Sequence, residues 1–316
     1  MPPSARAGAS DGHVRLRAWM RGLILCLCAL FSGTGLGQQP PGTPPPLTLP
    51  NAPDSIKFGV IGDSGTGEKA QYDIGAQMAL FHQRFLFDFV IMLGDNMYGR
   101  QEPGDFVRKF ELPYMALLDQ QVRFYASLGN HDSRQNRYYG PFNMQGERYY
   151  TFARGAVRFF VLDTNDFDAA QQEWLGRQLR ASKDDWKIAY FHHPIYSSAA
   201  RHGSSLELRA LLEPLFVEHG MNVVFQGHDH VYERIRPQQG IAYFVEGSSA
   251  KIRRGNLRRS PITAAGNDRD RTFMLVEVKD DVLSFQTIAR SGATVDSGQV
   301  LRHPAARQSA QPGAAR

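Results

Sequence analysis

Five short apolar runs in this chain each lead into Asp, Asn or His. Residues 56–61 run into Gly62-Asp63-Ser64-Gly65, and 89–93 into Gly94-Asp95-Asn96-Met97-Tyr98. Residues 122–127 lead to Gly129-Asn130-His131-Asp132, 188–191 to His192-His193-Pro194, and 222–225 to Gly227-His228-Asp229-His230. Apolar runs this short read as buried strands. Helical spacing appears between them, over 69–87 (Ile74, Met78, Leu80, Phe81, Phe85), 106–118, 171–181 and 206–219, and two further strands are expected at 149–153 and 157–162. Such alternation predicts an α/β body. The later runs 231–236, 241–246, 273–279, 282–289 and 295–301 predict strands only, hence a second, largely antiparallel sheet. Ligands of open α/β sheets bind beyond the carboxyl ends of strands. Donors spread from 63 to 230 can therefore converge.

Their chemistry is coherent. Two Asp, one Asn, one Tyr and three His supply oxygen and imidazole donors suited to Fe, Zn or Mn, enough for two ions sharing one carboxylate. Other readings of the first segment fail on specific residues. A phosphate-binding Walker loop needs Lys-Ser or Lys-Thr after Gly67, where this chain has Glu68-Lys69-Ala70. A serine esterase of the Gly-Asp-Ser type needs a late Asp-x-x-His, and no histidine here has Asp three places before it. A chymotrypsin-like protease needs an all-β chain with His and Asp ahead of the serine, and Ser64 comes too early. A dinucleotide fold needs an acidic residue ending the second strand, whereas Asp88 precedes it.

The five blocks, "GDSG" (62–65), "GDNMY" (94–98), "GNHD" (129–132), "AYFH" (189–192) and "GHDH" (227–230), resemble those of calcineurin-like metallophosphoesterases. Within that superfamily the chain resembles the purple acid phosphatases, including the tartrate-resistant acid phosphatases. Four blocks match outright, in the fourth Ala189 replaces Val, and the resemblance covers about 55–290. General metallophosphoesterases carry Asp-x-His in the first block. Here Gly65 stands in place of that histidine, and Tyr98 can supply the missing donor as a phenolate suited to Fe(III). The resemblance implies a four-layer α/β/β/α sandwich, two mixed sheets packed face to face with flanking helices. It implies a binuclear metal centre, with Fe(III) on Asp63, Tyr98 and His230. Fe(II), Zn(II) or Mn(II) would lie on Asn130, His192 and His228, and Asp95 would bridge. His131 and His202 would face the phosphate, with Asp132 orienting His131. The implied reaction is hydrolysis of phosphate monoesters by a metal-bound hydroxide between ions about 4 Å apart, at an acidic to near-neutral optimum. The alternative is a phosphodiesterase acting on nucleotide or lipid-headgroup diesters. A non-enzymatic module binding phosphorylated partners is disfavoured by the intact ligand sets.

Composition places this domain in a wider chain. Arg15, Arg17 and Arg21 precede an apolar run at 23–31 and small residues at 32–37, the pattern of a secretory signal cleaved before Gln38. Both cysteines, Cys26 and Cys28, fall inside it, so the processed chain has no disulfide and no thiolate site. The run is too short to span a bilayer, which takes about 20 residues. A secreted or periplasmic protein with no stable membrane span is expected. Residues 38–54 read as a Pro-rich linker, 55–303 as the metallophosphoesterase domain and 304–316 as a disordered tail. Four arginines and one aspartate leave with the signal, which brings the chain's +5 excess down to +2, so net charge names no partner beyond a small phosphorylated substrate. The basic stretch Lys251 to Arg259 has two readings, a rim of the site or a solvated loop. It lacks the interleaved aromatics of a nucleic-acid surface, and none is expected.

Overall fold

The computed structural model describes residues 46–302 other than 259. The expected signal, the start of the linker and the expected tail lie outside the described residues. The elements in chain order are β1 (Ile56–Ile61), α1 (Lys69–His82), β2 (Phe89–Met92), α2 (Pro103–Phe106), α3 (Leu112–Leu118), β3 (Arg123–Ala126), β4 (Tyr150–Arg154) and β5 (Val157–Val161). They continue with α4 (Ala169–Ala181), β6 (Trp186–Phe191), α5 (Leu206–Glu218), β7 (Val223–Gln226), β8 (Tyr232–Gln238), β9 (Ile241–Glu246), β10 (Thr263–Asn267), β11 (Thr272–Lys279), β12 (Val282–Ala289) and β13 (Thr294–Leu301). No helix among the described residues is long and apolar enough to cross a membrane.

Two mixed sheets form. The first has the order β13-β12-β11-β1-β2-β3 and the second β10-β8-β9-β7-β6-β5-β4. β1 to β3 run parallel, as do β5, β6, β7 and β9. Phe58 and Val60 of β1 and Phe89 and Ile91 of β2 pack against Phe159, Val161, Ile188, Tyr190, Phe225 and Phe244 of the other sheet. Phe58 meets Phe159 and Phe225 edge-on, with centroids 5.4 and 6.2 Å apart. Each outer face carries helices. Ile74, Met78 and Phe81 of α1 and Tyr114 and Leu117 of α3 cover the first sheet, and Leu175, Leu179, Leu212 and Phe216 of α4 and α5 cover the second. The result is the four-layer sandwich that the resemblance implied.

Three expectations change. The late strands do not build a sheet of their own. β9 joins β7 in parallel, and β11 returns to pair antiparallel with β1. β11 is buried over seven of its eight residues, as a central strand must be. The helix expected over 106–118 contains a π turn at Val107–Glu111, where the Leu112 N–H reaches back to the Val107 carbonyl. Pro113 follows it and has no N–H to donate, and its ring excludes the carbonyl four residues earlier. That carbonyl, on Lys109, accepts the Gln71 side-chain amide instead.

The linker expected over 38–54 belongs to the fold from 46 onward. Leu49 is buried in the first sheet's outer core. The Asn51 and Ala52 N–H groups donate to the Glu277 carboxylate at 2.7 and 2.6 Å, and Gln286 brackets Thr48 and Pro46. Truncation through residue 53 should therefore cost about 2 kcal/mol, the burial of one leucine. In a domain of this size that lowers the thermal midpoint by roughly 5 °C. An unchanged midpoint would return the segment to the status of a spacer.

Candidate metal centre

Each expected ligand sits just past a strand's carboxyl end, three strands from one sheet and two from the other. Asp63 follows β1, Asp95 and Tyr98 follow β2, Asn130 follows β3, His192 follows β6, and His228 and His230 follow β7. Asp63, Asp95 and His228 all adopt left-handed backbone, at φ 54°, 51° and 67°. Side chains other than glycine seldom do so, at a cost of order 1–3 kcal/mol each. The loops answer with bonds. The Asp63 N–H donates to the Gly94 carbonyl at 3.1 Å, and the His228 N–H donates to Asp63 Oδ2 at 2.8 Å.

Gly65 explains how Tyr98 arrives. A Cβ there would lie 1.8 Å from the Asn96 carbonyl oxygen, so no side chain fits. The 95–98 loop takes the space, with Gly65 N–H donating to the Asp95 carbonyl at 3.2 Å and Tyr98 N–H donating to the Gly65 carbonyl at 2.9 Å. The Tyr98 hydroxyl then donates to Asp63 Oδ1 at 3.0 Å and lies 3.3 Å from His230 Nε2. His230 Nε2 is itself 3.3 Å from Asp63 Oδ1, closing a triangle of donors. Buried Lys109 holds this loop from below, donating to the Tyr98 carbonyl at 2.6 Å and to the Arg100 carbonyl, while pairing with Asp105 at 3.2 Å.

A second group forms around His192. Its Nδ1 lies 3.0 Å from the Leu93 carbonyl, which can only accept, so the proton is on Nδ1 and Nε2 presents a lone pair. Asn130 Oδ1 at 3.0 Å, His228 Nδ1 at 3.1 Å and Asp95 Oδ1 at 3.4 Å meet that nitrogen. Asp95 thus reaches both groups. The oxygens of Asn130 and Asp95 that face the His192 lone pair are what a cation would reconcile.

The charges point the same way. Asp63 and Asp95 are buried side by side, and their ion-pair neighbours among the described residues are histidines alone. Burial, then the Asp95 carboxylate, pushes Asp63 well above the usual carboxylate range. The imidazoles cannot serve as counterions. Burial and His193 hold His192 well below its ordinary value, burial and the neighbouring imidazoles hold His228 at about 2, and burial and Arg253 hold His230 at about 4. Neutral imidazole is the metal-binding form. Burial and the two carboxylates push the Tyr98 phenol strongly up, so its ionisation needs a cation of high charge. The residues fit a pair of ions.

The three residues expected to act on phosphate separate. The His131 N–H donates to Asp95 Oδ1 at 2.9 Å, and its exposed ring lies on Tyr98 with centroids 4.7 Å apart. The His202 ring lies 4.3 Å from that of His228. Its loop is tied to Asp229 by the Ser197 hydroxyl at 2.6 Å and the Gly203 N–H at 3.2 Å. Asp132 does not orient His131. Its carboxylate is filled by five donors, the N–H groups of Gly129, Asn96 and Met97 and the side-chain amides of Asn96 and Asn136. It staples the 94–98 loop to the 129–132 loop instead. The basic stretch runs along the site at its start. Lys251 Nζ sits 4.7 Å over the Tyr98 ring, and the Arg253 N–H donates to the His230 carbonyl at 3.0 Å. Arg254 and Arg258 are exposed. Sequence reasoning passed over Lys109, whose place in a helix gave no sign of what its ammonium reaches, and Asp229, hidden between two expected ligands.

The calcineurin-like phosphoesterase family model matches residues 56–232, a span that holds all seven expected ligands, and the chain belongs to that family. It is a hydrolase of phosphoric esters. It is 26 % identical over 279 residues to purple acid phosphatase 17 of Arabidopsis thaliana, covering 76 % of this chain and 80 % of the relative. It is 26 % identical over 314 residues to the tartrate-resistant acid phosphatase type 5 of Rattus norvegicus, covering 82 % and 95 %. Among solved structures, a Danio rerio dimetal phosphatase superposes with a TM-score of 0.64 at 16 % identity over 78 % of this chain and 99 % of that one. GAP50, the anchor in the inner membrane complex of Plasmodium, gives 0.71 at 19 % identity over 79 % and 90 %.

Lys109→Met should release the Tyr98 loop. Leaving two carbonyls without their donor costs about 2 kcal/mol, read as a lower midpoint in urea. Asp105 gives a pH signature. The Arg108 guanidinium, with the Glu102 N–H and Lys109, holds it at about 2, against about 3.9 unfolded. Its contribution is complete above the unfolded value and drains away as pH falls toward 2. In Asp105→Asn the melting temperature should depend less on pH between 4 and 2.

Proposed function

We propose that this chain is a purple acid phosphatase-like enzyme with a binuclear centre that hydrolyses phosphate monoesters. The observation that carries this reading is the pair of buried carboxylates, Asp63 and Asp95, with which no lysine or arginine among the described residues forms an ion pair. Asp63, Tyr98 and His230 would hold Fe(III), Asn130, His192 and His228 would hold Fe(II), Zn(II) or Mn(II), and Asp95 would be shared. When bound, such a pair polarises phosphoryl oxygens and acidifies water. The chain's own residues do the rest. His202 and His131 stand at the open side of the cluster, where a ring N–H can bond a phosphoryl oxygen or protonate the departing alkoxide. Lys251 and Arg253 add positive charge beside Tyr98 and His230, which suits the dianion of a monoester better than the monoanion of a diester. The signal-like pattern at 15–37 supports export, and a mature chain beginning at Gln38 would agree with it.

Metal analysis and visible absorption test the centre together. About two metals per chain, one of them iron, and a purple or pink solution are expected from a Tyr98 phenolate bound to Fe(III). A colourless, fully active zinc or manganese protein would overturn the iron assignment. Asp63→Ala should lose iron and activity together, whereas Ser64→Ala should retain most activity. A dead Ser64→Ala that keeps its metals would refute the reading. Phenyl phosphate should be cleaved with at least tenfold higher kcat/KM than bis(4-nitrophenyl) phosphate, and Arg253→Ala should narrow that ratio by raising KM for the monoester.

A further inference from the structure

One imidazole faces the cluster without a role so far. His193 follows His192 at the end of β6 and is half-buried. One of its ring nitrogens lies within 4.8 Å of ring nitrogens of both His192 and His228. Its centroid is 5.0 Å from His192 and 4.6 Å from His228. His228 is thus flanked by two rings, His193 and His202.

The orientation of His193 is fixed by a residue from a sixth strand end. Thr164 comes just after β5 and is buried. Its Oγ1 accepts the His193 backbone N–H at 3.0 Å and lies 3.0 Å from His193 Nδ1. The Thr164 hydroxyl has one proton to donate, and Nδ1 is its one acceptor among the described residues. Donation in that direction makes Nδ1 an acceptor and puts the ring proton on Nε2. The opposite arrangement, Nδ1–H donating to Oγ1, would free Nε2 to act as a ligand. It would also leave a buried hydroxyl proton unused, at about 1–3 kcal/mol. Nε2 has no hydrogen-bond partner among the described residues.

We propose that His193 is a further substrate-binding residue, whose Nε2–H, held outward by Thr164, donates a hydrogen bond to a phosphoryl oxygen on the His228 side of the site. This rests on the phosphatase reading above. It makes His193 a neutral donor rather than an eighth metal ligand, and it gives the His-His pair two different tasks. His192 offers a lone pair because a carbonyl takes its Nδ1 proton. His193 offers a proton because a hydroxyl fills its Nδ1 lone pair.

The test measures metal content, orthophosphate affinity by calorimetry and turnover of phenyl phosphate for His193→Ala, His193→Asn and Thr164→Val. His193→Ala should keep the wild-type metal content, weaken orthophosphate binding about tenfold and lower kcat/KM at least tenfold. His193→Asn, which retains an N–H donor, should recover part of the phosphate affinity. Thr164→Val, close in shape but without the hydroxyl, should lose phosphate affinity in the same direction by a smaller factor, and it carries the test if His193→Ala does not fold. Loss of metal from His193→Ala would overturn the proposal in favour of a ligand. Phosphate affinity and turnover both within twofold of wild type would overturn it outright. If the metal-loaded wild type hydrolyses no ester, the phosphatase reading fails by itself. Orthophosphate binding still decides the role of His193, upheld if weakened in the variant and discarded if unchanged.

Discussion

Two carboxylates, Asp63 and Asp95, are buried beside one another and form no ion pair with a lysine or arginine among the described residues. Repulsion between Asp63 and Asp95 in a medium of low polarity costs free energy in every conformation that keeps them together. Yet the fold spends much of its local detail on doing so. Three of the expected ligands sit on left-handed backbone, Asp132 gathers five donors to join two of their loops, and Lys109 braces one of those loops, the one carrying Tyr98, from beneath. Strain concentrated at a site and over-determined by its surroundings is the mark of a centre built for something it binds.

The fold was legible where burial is continuous. Parallel strands buried on both faces read as uninterrupted apolar runs, and β1, β2, β6 and β7 appeared at nearly their observed limits. The edge strand β10, "TAAGN", escaped notice because nothing in it alternates. The fate of the late strands was hidden for another reason. Pairing β11 with β1 is a choice made over more than 200 residues, and hydrophobic pattern carries no record of which strand a neighbour will be. Residues 46–54 misled through composition. Proline-rich chain reads as spacer, but Leu49 and the backbone donors aimed at Glu277 bind it to the sheet.

At the site, the expected donors and their places at strand ends could be read, because chemistry and position coincide in five short blocks. Relations between side chains could not. Asp132 adjoins His131 in sequence, yet serves two other loops. His193 adjoins His192, yet its hydrogen-bonding partner is Thr164, 29 residues away. Gly65 is the instructive case. Its missing side chain suggested that Tyr98 replaces a histidine, and the geometry adds the cause: the glycine leaves the gap into which the tyrosine's own loop folds. Substituting the one without rebuilding the other is sterically closed.

The donors come from both halves of the sandwich, and this gives the aromatic layer between them a second duty. Phe58 lies five residues before Asp63, and it packs edge-on against Phe225, three residues before His228. The interplanar filling is therefore also the gauge that sets how far apart the two banks of donors stand. A methylene removed there would register as a displacement at the rim, some distance from the void itself.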